Sequence, residues 1–155
     1  QGCETVTLSL VDPDNRRPVD WTDRGERLAR VVAGEPALDL DDEKMRVSAR
    51  ALRVRREDAS AFVGEGTTYT GLVTSSPHAL AFARGDADGL RVVTVATVAA
   101  GVLAAGGGFG DAVVELPPGS WRDVLADGDD VITGGSVSLA TLLAHRPVAL
   151  LVRHS

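Results

Sequence analysis

Leu8-Ser9-Leu10-Val11-Asp12-Pro13-Asp14-Asn15-Arg16-Arg17-Pro18-Val19-Asp20-Trp21 is the stretch on which the reading of this chain turns. An apolar run gives way to dense charge bracketed by two prolines. Pro13 and Pro18 each fix their own φ and push the preceding residue away from helix. The polar groups between them are therefore held in a restricted shape, and groups ordered in advance bind at lower entropic cost. Carboxylates and guanidinium groups in such a loop clamp sugar hydroxyls bidentately, while Trp21 offers a flat apolar face. With Arg16 and Arg17 as neighbours, Asp12 and Asp14 stay ionised; they accept hydrogen bonds but donate no proton, which suits binding and not acid catalysis. Asp12, Asp14, Asn15, Arg16 and Arg17 are thus the candidate substrate-binding residues. A solvated loop whose charges pair internally uses the same residues, and spacing alone does not separate the two.

Working outward, residues 22–33 read as a helix with Thr22 as N-cap, Leu28, Val31 and Val32 on one face, and Gly34 placed to end it in a left-handed conformation. Asp41 or Asp42 caps a second helix in which Met45, Ala49 and Leu52 form a buried stripe. Its acidic start (Asp41, Asp42, Glu43) and basic end (Arg50, Arg53, Arg55, Arg56) match the helix dipole. Eleven of the 16 Lys and Arg residues fall in the first 60 positions, so the charged, helical third is distinct from the apolar remainder.

From Thr67 the pattern changes to period two with β-branched residues between turn signals. Strands are expected near 68–74, 79–84, 90–97, 112–116, 121–125 and 147–152, with a helical turn at Ser138–Ala144. Short breaks such as Ser75-Ser76-Pro77 and Gly85-Asp86-Ala87-Asp88-Gly89 join neighbours by hairpins, which implies an antiparallel β-sandwich. The fold class is α+β.

The remaining features exclude more than they assign. A net charge of −6 argues against nucleic acid, whose phosphates need a basic face. Cys3 has no second cysteine to pair with, and the three histidines show no metal-binding spacing, so neither metal nor cofactor is expected. No run approaches the roughly 20 apolar residues of a membrane span, and with no export signal a cytoplasmic setting is expected. The opening at Gln1, which reads as the end of a strand, suggests that the chain extends further on the N-terminal side. Gly106-Gly107-Gly108-Phe109-Gly110 lacks the Lys-Ser/Thr of a P-loop and precedes a strand, so it reads as a connection. His78, His145 and His154 have no nucleophile or carboxylate at a telling spacing. Trp121 reads as core packing, and Arg50 to Arg56 as a solvated helix face.

At Gln1-Gly2-Cys3-Glu4 and Asp12 to Asp20 the chain resembles the α-amylase superfamily, in its trehalose-forming glucan mutase branch. The likeness continues in order through Ala49 to Glu57, His78 to Arg84, Trp121 to Leu125 and Pro147 to Val152. Cys3 departs from it, standing where the family's pattern usually has Thr. The resemblance implies that residues 1–57 are the last strand end, loop and helices of a (β/α)8 barrel, with the loop bordering the cleft. Residues 58–155 would be an antiparallel C-terminal domain. It implies an enzyme that rearranges the terminal α-1,4 link of a maltooligosaccharide to an α,α-1,1 link by intramolecular transglycosylation. No catalytic residue lies in this segment, because the family's three carboxylates sit on earlier barrel strands. The implied partners are the maltooligosaccharide and the missing barrel. Another amylase-type hydrolase, a stand-alone carbohydrate-binding β module and a purely structural domain are the competing readings.

Overall fold

A computed structural model describes residues 3–6, 8 and 18–154. The chain divides into two compact units, Gln1–Arg53 and Val54–Ser155.

The first unit is built on a helix pair. Helix α1 (Trp21–Ala33) starts at Asp20, whose carboxylate accepts from the N–H groups of Thr22 and Asp23, both at 3.0 Å. The cap is therefore Asp20 and not Thr22, since one carboxylate oxygen satisfies two of the orphan donors of the first turn. Gly34 ends the helix at φ 80°, with its N–H returning to the carbonyls of Arg30 and Val31. Helix α2 (Leu40–Glu57) is likewise capped earlier than expected, by Asp39 and not by Asp41 or Asp42. The Asp39 carboxylate accepts from Asp42 N–H at 2.9 Å and its carbonyl from Glu43 N–H at 3.2 Å. Asp41 and Asp42 thus lie within the first turn, still at the positive end of the dipole.

The second unit begins with the last turn of α2 and a 3-10 turn at Ala59–Ala61. Six strands follow: β1 (Thr68–Gly71), β2 (Ala79–Asp86), β3 (Gly89–Thr97), β4 (Val113–Asp123), β5 (Val131–Ser138) and β6 (Val148–His154). Helix α3 (Ala100–Ala105) precedes the glycine-rich connection, and α4 (Leu139–Leu142) is the expected turn, capped by Ser138 Oγ. All neighbouring strands are antiparallel, in the order β1-β2-β3-β6-β4-β5.

The expected two-sheet sandwich is instead one sheet that curls over itself. The chain after β1 leaves β2 and pairs with β4, through Glu115 N–H to Val73 O and Ser75 N–H to Val113 O, both 2.9 Å, and a bridge at Thr74 and Val114. One face of the curl supplies the core: Ala81, Ala83, Val93, Val95, Val114, Leu116, Trp121, Ala149 and Leu151, closed by Leu139 of α4. Strand β4 was expected as two strands, near 112–116 and 121–125, and Pro117-Pro118-Gly119 lies between them. That segment is a bulge, with the register against β5 shifting between Leu116 and Ser120; prolines are tolerated there because the bulged residues owe the ladder no N–H. The Trp121 indole N–H donates to Pro117 O at 2.9 Å and fixes it. No helix among the described residues is long and apolar enough to cross a membrane.

Candidate functional site

Asp12, Asp14, Asn15, Arg16 and Arg17 lie outside the described residues. The structure describes residues on either side of them. On the incoming side Thr5 is buried, Val6 N–H donates to Asp41 Oδ1 at 2.7 Å, and Lys44 Nζ donates to Thr5 O at 2.8 Å. On the outgoing side Asp20 caps α1. The described residues Thr5, Val6 and Asp20 are therefore held by the early turns of the two helices. Asp41 and Lys44 were not legible as anchors in sequence, because their partner is backbone 35 and 39 residues away.

The helices are clamped by a buried carboxylate. Asp42 is 1% exposed, and its Oδ1 accepts from Arg27 at 2.7 Å and Arg30 at 3.1 Å, while Oδ2 accepts from Leu38 N–H at 3.1 Å. Arg27 also donates to Asp39 at 2.9 Å and to Asp23 at 3.1 Å. The Leu38 N–H, followed by the two guanidinium groups, holds the Asp42 carboxyl below its usual range against the opposing effect of burial. Asp39 is lowered by Asp42 N–H and then by Arg27. Arg27 is correspondingly raised, by Asp39 first and Asp42 next. These are saturated structural charges, with no proton to spare for chemistry near neutral pH.

Beside the clamp lies an apolar groove of about 360 Å³ lined by Trp21, Leu28, Met45, Ala49 and Leu52, with Glu4 at its edge. The stripe read from the sequence is present, but only Met45 is buried; Trp21 is 60% and Leu52 66% exposed. In the second unit Arg91 pairs with Asp58 at 2.8 Å and Asp86 at 3.3 Å. Asp86 also accepts from Ser60 Oγ at 2.6 Å, the largest cause of its lowered carboxyl pKa. Among the described residues no cluster of His, Cys, Asp and Glu is arranged to hold a metal ion.

No family model matches the chain. In sequence and fold it is similar to trehalose-forming synthases. The particular match is maltooligosyltrehalose synthase: a Mycobacterium tuberculosis protein bearing the name maltooligosyl trehalose synthase is 40% identical over 99% of this chain, with the same values in two strains. The solved structure of maltooligosyltrehalose synthase from Arthrobacter ramosus superposes with a TM-score of 0.84 at 38% identity, over 99% of this chain and 19% of that one. A glycosyltrehalose synthase structure at 22% identity and TM-score 0.66 shares the fold. Along almost all its length the chain is thus similar in sequence and fold to about a fifth of maltooligosyltrehalose synthase. It spans 18% of the length of the curated relatives it matches.

Proposed function

We propose that this chain is the closing part of an enzyme that converts the terminal α-1,4 link of a maltooligosaccharide to an α,α-1,1 link. The observation that carries this reading is identity of 40% sustained over 99% of the chain to a relative more than five times its length. On this reading residues 1–57 complete a catalytic barrel, and residues 58–155 are its C-terminal domain. The loop of Asp12, Asp14, Asn15, Arg16 and Arg17 borders the glucan cleft and binds hydroxyls. The reacting carboxylates, one a nucleophile and one an acid/base, belong to the portion preceding Gln1. They act through a covalent glycosyl intermediate, with water excluded so that transfer outruns hydrolysis.

The groove supports the reading. Monomeric proteins rarely leave a contiguous apolar surface uncovered, and Trp21, Leu28 and Leu52 would pack against the barrel strands of the same polypeptide. Incubation of the full-length gene product with maltohexaose is the test. A product ending in a non-reducing α,α-1,1 unit supports the assignment. Release of only glucose or maltose replaces it with a hydrolase built on the same frame. In that enzyme Asp12→Ala and Arg17→Ala should raise KM about tenfold or more with kcat less affected, as expected for lost hydrogen bonds to a bound hydroxyl. Unchanged kinetics in both would remove the loop from the cleft.

A further inference from the structure

The chain contains the steps Asp88-Gly89 and Asp127-Gly128, both in the second unit. An Asp-Gly step is chemically labile. The glycine nitrogen can attack the aspartate Cγ, because no side chain crowds it and the glycine backbone turns freely. A C–N bond forms, one carboxyl oxygen leaves as water, and the amide proton passes to solvent. The cyclic imide then takes up water again. Opening at Cγ restores aspartate, whereas opening at the main-chain carbonyl leaves isoaspartate, whose chain continues through Cβ.

Both aspartates are exposed, so exposure does not choose between them. The backbone around them does. Asp86 and Gly89 are cross-strand partners that close a tight turn over Ala87 and Asp88, and Asp88 N–H donates to Asp86 Oδ1 at 3.0 Å. The turn is braced from one side by an irregularity in the ladder. Arg84 pairs with Val92 and Gly85 with Leu90, so Arg91 is the extra residue of a β-bulge. Bulges re-aim one side chain out of the pleat. Here Arg91 reaches Asp58 at 2.8 Å and Asp86 at 3.3 Å, and Asp86 also accepts from Ser60 Oγ at 2.6 Å. The Gly89 nitrogen meets the Asp88 carboxyl only if this hairpin opens.

Asp127-Gly128 lies between β4 and β5, where the chain has left the ladder. The approach to it is fixed by Val124 N–H to Leu150 O at 2.9 Å, Leu125 N–H to Asp123 Oδ1 at 2.9 Å and Ala126 N–H to Asp123 O at 3.3 Å. Beyond Ala126, the Gly128 N–H makes no hydrogen bond among the described residues. Asp127 meets Arg146 Nη2 at 3.2 Å, but with 79% of the Asp127 side chain exposed, water and salt screen the pair. No ladder has to open for the Gly128 nitrogen to reach the Asp127 carboxyl. We propose that Asp127-Gly128 is a site of spontaneous isoaspartate formation in the folded protein, and that Asp88-Gly89 is protected from it. The product carries its carboxylate directly on Cα. The contact with Arg146 is thereby lost, and a pocket of about 380 Å³ lined by Asp123, Asp127, His145 and Arg146 is altered on one wall.

The test incubates the folded 155-residue chain at neutral pH in heavy-oxygen water, with a parallel sample in urea, and maps the peptides by mass spectrometry. Each imide hydrolysis leaves one heavy oxygen behind. In urea both Asp-Gly peptides should take up label. In the folded chain the Asp127 peptide should still do so, while the Asp88 peptide lags by about tenfold or more, since its hairpin must open first. Methyl uptake from S-adenosylmethionine with an isoaspartyl carboxyl methyltransferase should mark the same Asp127 peptide. Gly128→Ala crowds the attacking nitrogen and should abolish most of the label there; its Cβ finds its nearest neighbour beyond the adjoining residues at 3.8 Å, on Asp130, so the variant should fold. Equal labelling of the two steps in the folded chain would overturn the proposal. So would an Asp127 peptide without label or methyl uptake, or label there undiminished in Gly128→Ala. The readout is chemical, so the outcome is independent of whether the full-length enzyme makes trehalose units.

Discussion

Gly85 stands where β2 passes so close to the following turn that a Cβ would lie 2.0 Å from the Gly89 carbonyl oxygen. Gly85→Ala should lower stability by roughly 2–3 kcal/mol, through displacement of the bulge that also aims Arg91. Gly71→Ala, with open space at the Cβ, should change it by less than about 0.5 kcal/mol. Urea unfolding of the two variants checks the pair. Asp123 offers a contrast in charge. Its Oδ1 accepts from the N–H groups of Leu125 at 2.9 Å and Leu150 at 3.1 Å, yet burial pushes its carboxyl pKa up. A folded pKa above the unfolded one means that ionisation weakens the fold, so this contribution is best below the unfolded pKa and falls as pH rises through the folded value. Asp123→Asn keeps an acceptor without the charge and should match or exceed the parent at neutral pH, the difference vanishing in acid. Asp123→Ala should cost about 1–3 kcal/mol by orphaning two N–H groups. A parent more stable than Asp123→Asn at pH 7 would contradict this account.

At the scale of elements, the clamp between α1 and α2 is the part most sensitive to acid. Asp42 and Asp39 have lowered carboxyl pKa values, so their stabilisation is complete above the unfolded carboxylate value, about 3.9, and is lost as pH falls through it toward the folded values. Helical ellipticity should therefore drop on acidification before the sheet melts. Asp42→Asn should bring part of that loss to neutral pH, on the order of 3 kcal/mol, because Arg27 and Arg30 are left facing a neutral amide; far-UV circular dichroism checks it, and an acid-stable helix pair would be the contrary result. The elements themselves differ in how openly the sequence announces them. Helices α1 and α2 were visible from periodicity and from Gly34, although Asp20 and Asp39 took the caps. Strand β5 was not foreseen, since Gly134 and Gly135 interrupt its pattern; Gly134 is required because a Cβ there would meet Pro117 O at 2.1 Å. Helix α3 was missed too, with no capping side chain and Ala99 in the left-handed region at φ 52°.

For the whole molecule, the open groove at Trp21, Leu28 and Leu52 gives the proposed function a structural test. Leu28→Glu with Leu52→Glu should leave the helicity of the 155-residue chain nearly unchanged, because both side chains are largely exposed in it. In the full-length protein the same pair should lower the melting temperature by several degrees, on the order of 2 kcal/mol or more, through charge forced into a packed interface. Equal melting temperatures would mean that nothing covers the groove. By itself the sequence determined the division into a charged helical third and an antiparallel β remainder, the helix stripes, the burial of Trp121 and the resemblance, because these follow from local periodicity and from the order of short motifs. Only the tertiary structure decided that the strands form one curled sheet, that Asp42 is a clamp and not a cap, and that a bulge turns Arg91 toward Asp58. Each of these depends on partners brought together from distant positions, and pairing across 12 to 38 residues leaves no periodic trace in the chain that makes it.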